Sequence, residues 1–228
     1  MSAEKQKLVV LGAGFGGITA ARTLARGLLA HKLSETYEVV LIDRNSYHTF
    51  TPTLYEAATT TDYIASNAQL HRIITLPIKE LAEELPIHCI SGEIVKIDTQ
   101  GKELHFKTGN TIEYGYLIIA LGSEPNYFDI EGLMEHALPL KSFADALRIR
   151  ERILELVEVE QRPGVRIVIG GGGPTGVELS GEIKNLLHEL PRVIRGECAD
   201  KVTIVDGGAT ILSSFDSRVI TAAQKRLE

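Results

Sequence analysis

The sequence predicts an α/β protein built from two parallel βαβ units with a small antiparallel meander between them, and three observations support this prediction. An apolar strand, a glycine-rich turn, a helical run, a second apolar strand and an acidic residue follow one another over residues 7–44. The same order returns over residues 165–206. Short β-like runs broken by glycine separate the two copies. Strands that alternate with helices in this way are typical of parallel sheets.

The first copy begins with the apolar residues 8–11, which lead into the turn Gly-Ala-Gly-Phe-Gly-Gly at 12–17. A helix is expected next, because apolar residues recur there every three or four positions. They are Ile18, Ala21, Ala25 and Leu28. The following strand, 39–42, ends at Asp43.

The second copy repeats each of these parts. A strand at 165–169 precedes the turn Gly-Gly-Gly-Pro-Thr-Gly at 171–176, and a strand at 202–205 ends at Asp206. Helical spacing between them is kept by Leu179, Ile183, Leu186, Leu187 and Leu190. Nine of the 21 glycines lie in or next to these two turns, so the high glycine content is concentrated at two places.

The material between the copies has a different pattern. We expect an antiparallel meander from four short runs, 87–89, 93–97, 104–106 and 111–113. Tyr116–Ala120 predicts another buried strand that ends at Gly122. Ser142 followed three residues later by Asp145 predicts the start of a helix that continues towards Pro163.

Each glycine turn has the residues that a dinucleotide needs. In the first, Gly12 permits a tight turn, Gly14 permits close approach to a pyrophosphate, and Gly17 permits the helix to pack on the strand. The helix N-terminus supplies N–H groups and a positive dipole to the phosphates. Asp43 is placed to accept hydrogen bonds from ribose hydroxyls. Gly171, Gly173, Gly176 and Asp206 repeat the pattern. One such motif is weak evidence, whereas two complete copies predict two dinucleotide-binding domains.

The acidic residues also predict which nucleotide is bound. A carboxylate beside the ribose accepts a 2′-hydroxyl but repels a 2′-phosphate. Gly207 and Gly208 follow Asp206, so no adjacent arginine is available for a phosphate, and the second site is expected to prefer NAD over NADP. Arg44 follows Asp43 and is either a surface residue or one that stacks on the adenine.

Composition excludes several other classes of protein. The chain has 228 residues, 44% of them hydrophobic, and a net charge of −6 without a long basic run, which argues against disorder and nucleic-acid binding. No apolar stretch reaches the length of about 18 residues that a spanning helix needs. Cys89 and Cys198 are far apart and are expected to be reduced thiols in a cytoplasmic protein. Six of the seven histidines, all but His48, have no mutual ligand spacing, and no metal is predicted.

Two such turns separated by a meander and an Ile-Ile-Ala-Leu-Gly segment resemble the two-dinucleotide-domain flavoproteins, in which the first turn binds FAD and the second NAD(P)H. Within that superfamily, the type II NADH dehydrogenases, which are NADH:quinone oxidoreductases, are the most similar family. The resemblance is carried by residues 43–58 and 173–182, with 92–98 and 116–122 similar to strands that contact or close the FAD site. It covers nearly the whole chain.

The resemblance implies two Rossmann-like domains, the second incomplete. Residues 1–125 would be the FAD-binding domain, 126–164 a connector with a linker helix, and 165–228 the N-terminal part of the NAD-binding domain. Because relatives in this family are about four hundred residues long, the chain is expected to be C-terminally truncated. The implied FAD contacts are Gly12, Gly14, Gly16, Gly17, Asp43, Arg44, His48, Ile94, Ala120 and Gly122. The implied NAD contacts are Gly171, Gly173, Gly176 and Asp206.

The activity that the resemblance implies is hydride transfer from NADH to FAD, followed by two-electron reduction of a quinone or another small acceptor. Glu178 is the implied catalytic residue, although a carboxylate near a helix N-terminus also has a purely structural explanation. Peripheral attachment to the cytoplasmic face of a membrane, and a homo-oligomer, stay open. Sulfide:quinone oxidoreductases and disulfide reductases need catalytic cysteines that this pattern lacks. Another superfamily member with a different acceptor, or a nucleotide-binding piece without turnover, stays an alternative.

Overall fold

The computed structural model describes residues 4–61, 65–160, 164–190 and 200–227. It consists of two compact units. The first comprises Met1–Thr49 and Thr75–Glu124, and the second comprises Phe50–Ile74 and Pro125–Glu228. Among the described residues, no helix combines the length and the apolar character needed to cross a membrane.

The first unit contains nine strands and two helices among its described residues. In chain order they are β1 Gln6–Leu11, α1 Phe15–Ala30, β2 Tyr37–Asp43, β3 Tyr47–Thr49, β4 Thr75–Pro77, α4 Ile78–Ala82, β5 Ile87–Ser91, β6 Ile94–Asp98, β7 Glu103–Phe106, β8 Thr111–Glu113 and β9 Tyr116–Ile119. Helices α2 Leu54–Thr59 and α3 Asn67–Ile74, which come between β3 and β4 in the chain, lie in the second unit. A four-stranded parallel sheet has the order β5-β2-β1-β9, and β6-β7-β8 form an antiparallel meander.

The parallel sheet is covered on both faces, which explains its continuous apolar sequence. Side chains alternate along each strand, so Val10, Val39 and Leu41 pack with Ala21 and the rest of the α1 face. The opposite face of the sheet consists of Val9, Leu11, Val40 and Ile42. These side chains pack against the meander, whose residue Leu104 is fully buried. The predicted helix and both predicted strands of the first copy are confirmed.

Two strand predictions in this unit are wrong. Residues 87–89 belong to β5, which pairs in parallel with β2 rather than joining the meander. Helix α4, which precedes β5, has only five residues and gives no clear period in the sequence. The run 116–120 was expected to be buried, but Tyr116 and Ile119 are about 60% exposed. β9 stands at the end of the described sheet order, beside β1, so only one of its edges is paired there.

The second unit is built around helices and a two-stranded parallel sheet. Its elements are α2 Leu54–Thr59, α3 Asn67–Ile74, α5 Leu133–His136, α6 Phe143–Leu154, β10 Arg166–Gly170, α7 Pro174–Glu189, β11 Lys201–Val205 and α8 Ser217–Leu227. A 3₁₀ turn, Thr51–Thr53, precedes α2, and a π-helical turn, Glu155–Val159, extends α6. One apolar core joins α2, α6, α7 and β10, and Ile183 of α7 is 1% exposed within it. The second predicted βαβ copy is confirmed.

The segment Phe50–Ile74 packs within the second unit, whereas the sequence assigns it to residues 1–125. Leu54, Ala57 and Ala58 of α2 are buried in the core that also contains α6 and α7. The sequence could not indicate this, because apolar spacing shows that a helix has a buried face but not what covers it. The predicted domains, residues 1–125, 126–164 and 165–228, differ from these two units in where residues 50–74 belong, and their boundaries stay a prediction.

Helix α6 starts with the predicted capping box. The hydroxyl of Ser142 accepts a hydrogen bond from the Asp145 amide at 3.2 Å, and the Asp145 carboxylate accepts one from the Ser142 amide at 2.8 Å. Burial alone would raise the pKa of Asp145. The hydrogen bonds from Ser142 and the Arg148 side chain outweigh burial, so that the pKa lies below its usual value.

We expect Asp145→Ala to lower the free energy of unfolding by about 1 kcal/mol at neutral pH, because the cap is lost. The Asp145 pKa is lowered in the folded state, so its contribution is present above the unfolded pKa of about 4 and disappears as pH falls through the folded value. Urea unfolding at a series of pH values should therefore show a smaller acid dependence in the variant. Glu151→Gln, at an exposed position of the same helix, is the matched control; an equal change in both would contradict the prediction.

Candidate functional site

The first glycine turn links β1 to α1 through a backbone that requires glycine. Gly12 has φ +104°, a conformation that L side chains rarely adopt, and its amide donates to the Ile42 carbonyl at 2.7 Å. A Cβ atom on Gly17 would lie only 1.7 Å from the Gly12 carbonyl oxygen. The first turn of α1 therefore packs directly on the end of the strand, as predicted.

The second turn, between β10 and α7, has the same geometry. Gly171 has φ +107° and donates its amide to the Val205 carbonyl at 2.8 Å. A Cβ atom on Gly176 would lie 2.0 Å from the Gly171 carbonyl oxygen. The repeat seen in the sequence is thus a repeat of backbone structure, with equivalent glycines bearing equivalent constraints.

Each turn is open where its helix begins. Gly14 and Gly173 precede α1 and α7 in extended conformation, with φ near −73° and −74°. A Cβ at either position would meet no atom of the described residues within 4 Å. The N–H groups of a helix's first turn have no partner within the helix and attract anions, so both openings suit a phosphate.

The two aspartates bind the backbone of their own turns. The Asp43 carboxylate accepts from the Ala13 amide at 2.7 Å and from the Asn45 amide at 2.8 Å. Asp206 accepts from Gly172 at 2.6 Å and from Gly208 at 2.7 Å. These two backbone amides, that of Gly172 first, lower the pKa of Asp206. A carboxylate has about four acceptor positions, so each aspartate retains capacity for ribose hydroxyls.

His48 lies in β3 and is directed at the first turn. Its side chain is 5% exposed, and its Nδ1 lies 2.9 Å from the Ala13 carbonyl oxygen. The Phe15 ring packs edge-on against the imidazole with 4.8 Å between ring centroids. His48 thus contacts the turn itself, whereas Arg44, the other polar residue predicted from this segment, is exposed.

The remaining predicted residues of the first site also lie in the first unit. Ala120 donates its amide to Leu11 at 2.8 Å, and its carbonyl oxygen would lie 2.4 Å from a Cβ on Gly12. Gly122 follows with φ +77°. Gly16 is exposed in the first turn of α1, and Ile94 is the half-buried first residue of β6. Ala120 therefore closes the first turn on the side of β9.

A cavity of about 240 Å³ lies beside the ends of β2 and β5. It is lined by Ser46, Pro77, Ile78, Lys79, Cys89, Ile90 and Ser91. Burial raises the pKa of the Cys89 thiol, and the charge of Lys79 partly offsets this. Cys89 is a free thiol in the described part of the chain. Cys198 lies outside the described residues.

Glu178 is the fifth residue of α7 and is exposed. It lies beyond the first turn of the helix, which contains no acidic residue, so stabilisation by the helix dipole does not explain it. Burial, and then the charges of Glu56 and Glu178, raise the pKa of Tyr55 in α2. The Glu178 side chain is thus near enough to Tyr55 of α2 for its charge to affect the Tyr55 pKa.

Sequence reasoning did not find the residue between the first two glycines of each turn. Ala13 and Gly172 donate to the aspartates, and a Cβ on Gly172 would lie 3.0 Å from the Ile211 side chain. Their role is carried by backbone groups, which leave no trace in residue type. The sequence has alanine at this position in the first turn and glycine in the second. This difference in residue type is the only sign of the close contact at Gly172.

Comparison with known families decides what these paired turns belong to. The model of the pyridine nucleotide-disulphide oxidoreductase family matches residues 6–228. The chain belongs to this family. The match includes both glycine turns and both aspartates, and it extends through the meander between them.

Curated relatives match this member of the pyridine nucleotide-disulphide oxidoreductase family along nearly its entire length. A mitochondrial external alternative NAD(P)H-ubiquinone oxidoreductase B4 from Arabidopsis thaliana is 30% identical over 99% of the chain. A type II NADH:quinone oxidoreductase, NdhA, from Mycobacterium tuberculosis is 29% identical over 98%. The chain spans 40% and 48% of their lengths, respectively.

Solved structures confirm the fold of this chain. NDH2 from Plasmodium falciparum, solved with NADH, superimposes with a TM-score of 0.77 at 24% identity, covering 97% of this chain and 46% of that one. A sulfide:quinone oxidoreductase from Aquifex aeolicus gives 0.68 at 23% identity, covering 96% and 48%. At these identities the likeness establishes the α/β architecture that the sequence predicted.

Proposed function

We propose that this chain forms the nucleotide-binding part of an FAD-dependent NADH:quinone oxidoreductase. The first unit binds FAD at the turn of Gly12, and the second binds NADH at the turn of Gly171. One observation carries the proposal: two glycine turns of the same geometry occur in one chain, each braced by an aspartate. The relatives named for NADH and quinone chemistry support the choice of reaction.

The residues present fit both nucleotides. Each turn offers open space at a helix N-terminus for a diphosphate, and each places a carboxylate beside it for a ribose. The cavity at the ends of β2 and β5 lies next to Asp43, where the adenine end of a dinucleotide would continue. No 2′-phosphate is expected beside Asp206, because the carboxylate would repel it.

Differences between the turns support FAD at the first and an exchangeable NADH at the second. Helix α1 starts with Phe15, whereas α7 starts with Pro174, which has no N–H group to donate. Ala120 packs against Gly12 at the first turn. The first turn therefore has one more backbone donor than the second at the start of its helix, as suits a tightly held cofactor.

The chemistry divides between cofactor and protein. Bound FAD would supply the acceptor for the hydride of NADH and the two electrons for the quinone. The helix N-termini would hold the diphosphates, and Asp43 and Asp206 would hold the riboses. Reduction of a quinone to a quinol takes up one proton in addition to the hydride, and the exposed Glu178 carboxylate is proposed to take this proton from water and pass it on.

Adding NADH without oxygen to the FAD-saturated chain tests the proposal. We expect the visible flavin absorbance to bleach, and NADPH to act much more slowly because of Asp206. Bound FAD that NADH does not bleach would leave a nucleotide-binding protein without turnover. A chain that binds no FAD would contradict the assignment of the first turn.

Glu178→Gln tests the proton role separately. We expect the FAD content to be unchanged and turnover with a quinone to fall at least about tenfold, because the amide cannot deliver a proton. Glu182→Gln, one helical turn further along α7, is the matched control. Equal turnover of the Glu178 variant and wild type at every pH would contradict the role.

A further inference from the structure

In each turn, the N–H and the C=O of the residue after the first glycine both have a hydrogen-bond partner. The Ala13 amide donates to Asp43 at 2.7 Å, and its carbonyl lies 2.9 Å from His48 Nδ1. In the second turn, the Gly172 amide donates to Asp206 at 2.6 Å, and its carbonyl accepts from the Leu212 amide at 2.7 Å. The equivalent residue is thus held through both its N–H and its C=O in each unit.

The two turns differ in the group that holds the carbonyl. A backbone amide does so in the second unit, and Leu212 adopts a left-handed φ of +52° in the segment that presents it. An imidazole side chain does so in the first. A carbonyl oxygen can only accept, so His48 Nδ1 must carry the hydrogen. The imidazole is 5% exposed and Ala13 is 2% exposed, so water cannot easily replace this bond.

We propose that His48 is a positioning residue of the first nucleotide site. Its Nδ1–H fixes the carbonyl of the peptide that joins Ala13 to Gly14, and through it the backbone of the turn that faces the diphosphate. His48 thereby sets the affinity for FAD without being required to touch it. The inference rests on the proposed function in that FAD is the occupant of this turn.

Three substitutions separate the hydrogen bond from the bulk of the side chain. In His48→Asn the amide nitrogen is as many bonds from Cβ as Nδ1 is, so the donor is kept. In His48→Gln the nitrogen is one bond further out, and in His48→Leu there is no donor. We expect the Kd for FAD to rise roughly tenfold in the Leu variant, as for one lost hydrogen bond, to rise in the Gln variant, and to stay within about threefold in the Asn variant.

Two measurements on the full chain test this. Flavin fluorescence during titration gives the Kd for FAD. Amide hydrogen exchange of the FAD-free chain reports the turn itself: exchange over residues 12–17 should become faster in the Leu and Gln variants and not in the Asn variant. Residues 171–176 are the internal control, because the Gly172 carbonyl there is bound by the Leu212 amide and not by a histidine. Their exchange rate should not change in any variant.

Each outcome decides something. Wild type that binds FAD, with Asn and Leu variants of equal affinity, overturns the positioning role and leaves the proposed function intact. Wild type that binds no FAD overturns the proposed function, and hydrogen exchange then decides the inference alone. If the Leu variant does not fold, the Asn and Gln variants are compared, and equal affinity or equal exchange in these two overturns the proposal.

Discussion

Gly17→Ala and Gly176→Ala are each expected to lower the free energy of unfolding by about 3 kcal/mol or more. The added Cβ would lie 1.7 Å and 2.0 Å, respectively, from the carbonyl oxygen of the first glycine of the turn. That oxygen cannot rotate away, because the N–H of the same peptide unit, which is that of Ala13 or Gly172, is bound by Asp43 or Asp206. The helix must therefore move off the strand, and its buried face loses contact with the sheet.

Matched glycine-to-alanine controls exist in the same two helices. A Cβ at Gly27 of α1 or Gly181 of α7 would have no neighbour within 4 Å among residues that the structure describes. Alanine there should be neutral or stabilising by up to about 1 kcal/mol, because it favours the helix. Urea unfolding followed by circular dichroism measures all four variants. A loss below about 1 kcal/mol at Gly17 or Gly176 would show that the helix is not held against the strand as described.

The glycine turns could be predicted because their geometry excludes other residues. Gly12 and Gly171 need a left-handed φ, and Gly17 and Gly176 have no room for a Cβ, so each constraint is visible as residue type. The capping box of α6 was visible for a similar reason, since its two side chains must be of particular kinds. Local constraints of this kind are recorded in the sequence.

What could not be predicted depends on partners distant in the chain. Residues 87–89 have the composition of a meander strand, and only pairing with β2 makes them part of the parallel sheet. The segment Phe50–Ile74 shows an apolar pattern but not that its partners are α6 and α7. His48 was expected near the flavin by resemblance alone; its bond to the Ala13 carbonyl needs the return of β3 towards β1, which no spacing reveals.

Gly14→Val and Gly173→Val are expected to abolish nucleotide binding, each at one turn only. Both positions have extended backbone that any residue can adopt, and the side chain meets open space, so the cost in stability should not exceed about 1 kcal/mol. The valine then occupies the opening at the helix N-terminus, where a diphosphate must approach within hydrogen-bond distance of backbone amides. Losing these charge-assisted bonds should weaken binding by roughly 100-fold or more.

Calorimetric titration of wild type and these two variants, with FAD and, in separate FAD-free samples, with NADH, is the most direct test of one nucleotide at each turn. Wild type should bind one equivalent of each. Gly14→Val should lose FAD and keep NADH, and Gly173→Val should lose NADH and keep FAD. If either variant lost both nucleotides while remaining folded, or if neither lost any, the assignment of FAD to the first turn and NADH to the second would be wrong.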